Sequence, residues 1–264
     1  MTIRKVLTIA GSDSGAGAGI QADLKTFAAH GVYGTSAITA ITAQNTIGVT
    51  AVLAVNPNLV GAQIDAIIAD IGAHAVKTGM LANTAVIDIV VKKIRQHRLI
   101  NIVVDPVMVA TSGDLLIEKS AVAALRNKLI PLATIVTPNI PEAEVLAGMK
   151  LRGADEIREA AIRIVEMGAK TVLIKGGHLK GSAVDFFYDG KKFAALNAPR
   201  IRSKNTHGTG CTLSAAIAAG LAKGQQLETA VANAKRYITE ALRHGYRIGS
   251  GHSPVHHFYR YWKA

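Results

Sequence analysis

Short apolar runs with strand character alternate with helical periods from one end of this chain to the other. That alternation limits the fold more than any other feature. Residues 6–10, 36–42, 75–78, 102–106, 134–137 and 171–175 read as strands. Residues 18–30, 59–70, 85–97, 119–128, 142–146 and 155–167 read as helices between or after them. Residues 186–188 and 193–196 flank Asp189-Gly190, a strong hairpin turn signal, and helices over 211–222 and 228–244 follow. Apolar strands separated by helices argue for an α/β fold: a central, mostly parallel sheet covered by helices on both faces, with a small hairpin. Ligands of such sheets gather at the carboxyl ends of the strands. The informative loops are therefore 11–19, 44–45, 79–80, 105–108, 138–142 and 176–178. No repeat, low-complexity segment or linker interrupts the pattern, so one domain over residues 1–264 is expected.

A 264-residue chain that is 49% hydrophobic can bury the core such a domain needs. Its single cysteine excludes an intrachain disulfide and any cysteine cluster for zinc, which makes a reducing cytoplasm the expected location. The opening Met1-Thr2-Ile3-Arg4-Lys5 leads into a strand without the apolar core of a signal peptide. No stretch approaches the roughly 20 apolar residues of a membrane span, so no membrane partner is expected. The formal net charge is +12, but the basic residues are not interleaved with aromatics, which make up 5% of the chain. A solvated basic surface is the favoured reading, one that steers polyanions such as nucleoside triphosphates; no module for nucleic acid is recognised.

Asn205-Thr206-His207-Gly208-Thr209-Gly210-Cys211-Thr212 is the stretch richest in chemical content. Its glycines let several backbone N–H groups converge, and the apolar helix expected from Cys211 adds its positive end. Together they suit a phosphate or a developing phosphoryl charge. Taken alone, the segment reads equally as a glycine-rich helix start. Four other loops add to it. Gly11-Ser12-Asp13-Ser14-Gly15-Ala16-Gly17-Ala18-Gly19 has glycines at alternate positions, so it is neither a Rossmann fingerprint nor a Walker loop. It reads as a plain strand–helix turn or as a mobile flap whose backbone approaches a ligand. Asp105 ends an apolar strand and could face a metal-bound phosphate, or could cap a turn. Asn139-Ile140-Pro141-Glu142 is a capping box by spacing, while Glu142 could also hold Mg²⁺ through water. Lys175, before Gly176-Gly177-His178, is a surface lysine or a compact charge for phosphate. His74 and His97 read as solvated or capping residues. The cluster His252, His256 and His257 reads as a tail packed over the domain.

In this order the motifs are specific. The chain resembles the ribokinase-like superfamily and, within it, the hydroxymethylpyrimidine/phosphomethylpyrimidine kinases of thiamine biosynthesis. The resemblance covers nearly the whole chain. It rests on IAGSDSGAGAGIQADLKTF (residues 9–27), ITAQNTIGV (41–49), VKTGML (76–81), VDPVM (104–108), TPNIPEAE (137–144), IKGGH (174–178), NTHGTGCTLSAAIAA (205–219) and GHSPVHHF (251–258). Ala16 departs from it, since many relatives carry glycine there, and is expected to stiffen the loop slightly.

The resemblance implies ATP and Mg²⁺ as co-substrate and cofactor, and two successive phosphorylations at one site. The first converts 4-amino-5-hydroxymethyl-2-methylpyrimidine to its monophosphate and the second gives the diphosphate. It implies Gln44 as the partner of the aminopyrimidine, a carboxamide having both a donor and an acceptor. Gly11, Asp23, Met80 and Val107 would complete the pyrimidine pocket. Asp105, Glu142 and Lys175 would serve Mg²⁺ and the triphosphate, with Thr209 also at the nucleotide. Gly208, Thr209 and Gly210 would form the anion hole. Cys211 would be the general base, its thiol acidified by the helix N-terminus. A homodimer is expected by likeness to similar kinases. The competing readings are a pyridoxal/pyridoxine kinase and a non-catalytic nucleotide- or pyrimidine-binding protein on the same fold. A dinucleotide-dependent oxidoreductase fails on glycine spacing.

Overall fold

The computed structural model describes residues 2–108, 118–177 and 183–262. Strand β1 (Lys5–Asp13) leads into helix α1 (Gly19–Ala29), then β2 (Tyr33–Gln44) and β3 (Val49–Ala54). Helix α2 (Pro57–Asp70), β4 (Ala75–Thr78), α3 (Thr84–Gln96) and β5 (Ile102–Val104) follow. Next come α4 (Lys119–Ala124), β6 (Ile135–Val136), α5 (Ile140–Ala147), α6 (Ala154–Glu166) and β7 (Val172–Ile174). The hairpin β8 (Ala183–Tyr188) and β9 (Phe193–Ala198) precedes helices α7 (Thr209–Ala222) and α8 (Leu227–Arg243).

Among the described residues these strands form one sheet in the order β3-β2-β1-β4-β5-β6-β7-β8-β9. The six central strands, β2, β1, β4, β5, β6 and β7, pair in parallel, and β3, β8 and β9 join antiparallel. The sheet is thus mixed at its edges and parallel at its centre, as the alternation implied. Buried apolar side chains fill both faces. One layer packs under α2, α3, α5 and α6 around Ile9, Ile64, Val90, Leu129 and Ile157. The other packs under α1, α7 and α8 around Phe27, Val103, Leu213, Ile217 and Ile238. Burial on two faces explains why the central strands read as continuous apolar runs rather than alternating ones.

Local sequence sets the ends of the helices. Asn56 and Asn83 cap α2 and α3 through their side chains. Asn139 and Glu142 close a reciprocal capping box on α5, which Gly148 ends in the left-handed conformation at φ 67°. Two expectations need correction. β3 was not expected; it is an edge strand whose side chains face outward, so it shows no alternating burial signal. Helix α7 starts at Thr209 rather than Cys211, which moves Gly210 and Cys211 into its first turn. Of the terminal histidines, His256 and His257 pack into the domain and are buried, while His252 is exposed. No helix among the described residues is long and apolar enough to cross a membrane.

Candidate active site

The carboxyl ends of β1, β2, β4 and β5 open into a cavity of about 690 Å³. Its lining includes Gly11, Met80, Val107 and Gln44, the cluster Asp105, Glu142 and Lys175, and Gly208 to Cys211. The structure therefore gathers every expected site residue except Asp23 into one chamber. His178 lies outside the described residues.

The nucleotide-side cluster comes from three strand ends. Asp105, after β5, is 2% exposed and takes a hydrogen bond of 2.9 Å from Lys175 Nζ, with the Thr137 and Ser214 hydroxyls each 3.3 Å away. Glu142 Oε2 lies 3.9 Å from the same ammonium and accepts the Asn139 N–H at 2.8 Å. Glu142 thus serves as cap and faces the cavity, so the two sequence readings are compatible. Burial, only partly offset by Lys175 and reinforced by Asp105, pushes the Glu142 carboxyl up to about 7. Burial works against the Lys175 charge too, but Asp105 and Glu142 outweigh it and hold that lysine above its ordinary range. Two carboxylates share one ammonium here, a donor set with room for a further cation.

The anion loop is built by close backbone approach. Gly208 caps α7 at φ 76°, and a Cβ there would run into the carbonyl oxygen of Gly17. A Cβ on Gly210 would come to 3.0 Å from Lys175 Nζ. Thr212 N makes the first intrahelical bond, to Gly208 O at 2.9 Å, so the N–H groups of Gly210 and Cys211 have no helical partner. Thr209 is the exception within the expected anion hole: its N–H and its hydroxyl both bond Thr206 O, at 3.2 and 2.7 Å.

Cys211 does not meet the expected acidity. Burial raises its thiol, Lys77 opposes, Asp23 and Asp105 add to the rise, and the group is pushed up to about 11. The helix N-terminus does not overcome desolvation, so the resting side chain is a neutral thiol. Asp23 is a second correction. Its side chain is fully buried behind the wall, where Lys77 Nζ donates to it at 2.9 Å and the Thr8 hydroxyl at 2.6 Å. It braces the chamber instead of lining it. Burial works against the Lys77 charge, but the Asp23 carboxylate more than compensates and keeps that lysine above its usual range.

The sequence reading gave no role to Asp13 or His207, yet they tie the site together. Asp13 accepts the N–H groups of Gly15, Gly17 and Ala18 at 2.8, 3.0 and 2.8 Å. His207 Nε2 lies 2.8 Å from Asp13 Oδ2. Burial opposes ionisation of Asp13, but His207 and these N–H groups outweigh it and hold the carboxyl below its usual range. The loop over residues 11–19, read from the sequence as a plain strand–helix turn or a mobile flap, is tied through Asp13 to His207 and so to the 208–210 turn. Ala16 sits there at φ 60°, the left-handed region in which glycine is at ease. A histidine directly before the Gly-Thr-Gly run and an aspartate inside the first loop were the signals available.

Residues 13–256 match the family described as phosphomethylpyrimidine kinase. The chain is 55% identical to the hydroxymethylpyrimidine/phosphomethylpyrimidine kinase of Rhizobium meliloti, covering 97% of this chain and 98% of that one. It is 53% identical to the thiamine biosynthesis bifunctional protein ThiED of Geobacter sulfurreducens over 96% of this chain; the match spans 52% of that longer protein. The fold superposes on an ADP complex of Bacillus subtilis pyridoxal kinase with a TM-score of 0.91, at 42% identity, over 97% and 98% of the two chains. Match length, identity and the shared sheet agree, and the chain belongs to the phosphomethylpyrimidine kinase family.

Proposed function

We propose that this protein is an ATP-dependent kinase that phosphorylates 4-amino-5-hydroxymethyl-2-methylpyrimidine to its monophosphate. It then phosphorylates the monophosphate to the diphosphate used in making thiamine diphosphate. The observation that carries this reading is that one cavity is lined by the carboxamide of Gln44, by the lysine–carboxylate cluster of Lys175, Asp105 and Glu142, and by the Gly208–Gly210 turn. The names and high coverage of the relatives support it.

In this reading Gln44 pairs with the ring nitrogen and amino group, and Gly11, Met80 and Val107 wall the ring. Met80 is 7% exposed and packs with Ala40, Ala82 and Val107, which gives the ring an apolar surface. Lys175 meets the triphosphate, and Pro199, Ile201, Ile238 and Leu242, which also line the cavity, offer the base an apolar seat. Asp105 and Glu142 fit a magnesium ion that arrives with ATP, because Mg²⁺ takes one or two carboxylates and keeps its remaining positions for water and phosphate. Among the described residues no group of three or more protein ligands is placed to hold a metal unaided. The ion would neutralise charge on the phosphate oxygens.

The acceptor hydroxyl oxygen bonds to the γ-phosphorus while the bond to the ADP oxygen breaks. The N–H groups of Gly210 and Cys211, which have no helical partner, would meet the charge that spreads over the phosphoryl oxygens. The hydroxyl proton must leave in the first step, and in this reading Cys211, in the cavity lining, receives it. With its thiol at about 11, only a small thiolate fraction is present at neutral pH. In the second step the acceptor is a phosphate oxygen that needs no base. A homodimer belongs to this reading, supported by the exposed β3 edge with Val52 and Leu53; sedimentation at two concentrations tests it.

ADP release from Mg-ATP tests the assignment, with hydroxymethylpyrimidine, pyridoxal or no acceptor added. Release that depends on the pyrimidine is expected. Release with pyridoxal alone would place the protein with its structural neighbour instead, and acceptor-independent silence would favour a binding protein.

A further inference from the structure

Gln44 is held between two neighbours. Its Nε2 lies 3.3 Å from His207 Nε2, and its Oε1 lies 3.2 Å from Thr42 Oγ1. A carboxamide fills the same space after a half-turn that exchanges oxygen and nitrogen. Hydrogen placement decides between the two orientations.

Asp13 is the fixed point. Three backbone N–H groups point at its carboxylate, so it only accepts. His207 Nε2, 2.8 Å from Asp13 Oδ2, must then carry a hydrogen, in either the neutral or the charged ring. With Gln44 Nε2 toward it, two hydrogen-bearing nitrogens would oppose each other. On the other side, Thr42 Oγ1 also lies 3.0 Å from Ser12 O, a carbonyl that can only accept. With the hydroxyl hydrogen of Thr42 on Ser12 O, its oxygen would face the Gln44 oxygen lone pair to lone pair. The half-turn removes both repulsions at once: Oε1 takes a weaker share of the Nε2 hydrogen that His207 donates chiefly to Asp13, and the amide nitrogen donates to Thr42.

We propose that the Asp13–His207 pair is a positioning device that fixes the orientation of the Gln44 carboxamide, and through it the direction in which the acceptor ring lies. This rests on the proposed recognition of an aminopyrimidine by Gln44. The oriented amide offers an acceptor on the His207 side and a donor on the Thr42 side. An aminopyrimidine answers with its amino group toward His207 and its ring nitrogen toward Thr42. In the substrate the carbon bearing the hydroxymethyl group adjoins the carbon bearing the amino group, on the side away from that ring nitrogen. The hydroxymethyl group therefore lies toward the His207 side, where Gly208 to Cys211 follow in sequence. The opposite amide orientation would aim it away from the anion loop. His207 thus links recognition of the ring to delivery of its reacting oxygen.

The 4-oxo analogue of the substrate tests this, because its N3–H and carbonyl present the reversed pattern. The readout is the ratio of kcat/KM for the amino and oxo compounds, in wild type, His207→Leu and His207→Gln. Wild type is expected to favour the amino compound strongly. The ratio should fall at least about tenfold in His207→Leu, where only Thr42 still orients the amide, and recover in His207→Gln, which keeps an N–H donor. Equal losses on both compounds in His207→Leu, with the ratio unchanged, would overturn the proposal and leave His207 a purely structural residue. If wild type turns over neither pyrimidine, the kinase assignment itself fails and the proposal fails with it. A second measurement needs no folded variant: the ¹⁵N shifts of His207 in the wild-type protein should report a hydrogen on Nε2. A bare Nε2 would overturn the proposal.

Discussion

Two lysine–aspartate pairs stand at strand ends in this molecule, each with a 2.9 Å contact, and they do different work. Lys77 and Asp23 are both 0% exposed at the side chain; Lys77 belongs to the wall of the chamber and Asp23 backs it from behind. Lys175 and Asp105 are 14% and 2% exposed, with Glu142 close by and the cavity in front. The sealed pair has its charges balanced one to one. The open cluster has two carboxylates for one lysine, and that imbalance appears as the Glu142 carboxyl pushed up to about 7. Contact distance does not separate a brace from a ligand site. Stoichiometry of charge and access to the cavity do.

The sharpest way to break this comparison is to remove one lysine at a time. Lys77→Met leaves a buried carboxylate alone and is expected to lower stability by about 3–5 kcal/mol. Lys175→Met should cost less stability, because the cavity is open to water and cations, but should reduce kcat/KM by about 3 kcal/mol of transition-state stabilisation. Denaturant unfolding and steady-state rates on both variants check the contrast. Similar stability losses with similar kinetics would abolish it.

Cys211 sits between the two pairs and feels both. Cys211→Ala is expected to slow the first phosphorylation by about 10²-fold while leaving the second nearly unchanged. The thiolate fraction grows with pH up to about 11, so the first step should quicken between pH 7 and 9 in wild type and not in the variant. A first step with the same pH profile in both proteins would remove the base role.

Glu142 sharpens the open side. Its carboxyl gains a proton as pH falls through about 7, so Mg-ATP should bind more weakly there, by up to roughly tenfold per pH unit. Sign matters for the free protein as well. The folded state holds this proton above the ordinary value of 4.5, so the contribution of Glu142 to stability falls as pH rises from there through about 7. Glu142→Gln should flatten both dependences, measured by titration calorimetry and thermal melts. The smallest effect expected is at Ala16. Its φ of 60° suits glycine, and Ala16→Gly should change stability by no more than about 1 kcal/mol.

Much of this was legible in the sequence, for physical reasons. The strand at 102–104 announced itself because burial on both faces makes it wholly apolar, whereas the strand at 75–78, buried throughout, still carries Lys77 and Thr78. The α5 capping box was readable from the Asn139–Glu142 spacing alone. β3 was not, because an exposed edge strand is held by backbone pairing that leaves no side-chain period. Asp23 could be placed near the site by resemblance, but only packing reveals that Thr8 and Lys77 take its carboxylate. Cys211 lies in a helix first turn, as expected from the glycines, yet its acidity depends on desolvation, a property of the folded neighbourhood. The Asp13–His207 contact spans 194 positions of sequence, and no local pattern encodes it.

The central claim is that one cavity transfers the γ-phosphoryl group of ATP twice to the same pyrimidine. A mass-resolved time course with Mg-ATP and hydroxymethylpyrimidine, run beside pyridoxal and pyridoxine, tests it most directly. The account predicts pyrimidine monophosphate that rises and then converts to diphosphate. Phosphorylated B6 vitamers with no pyrimidine diphosphate would contradict it, while leaving the fold and the phosphoryl-transfer site in place.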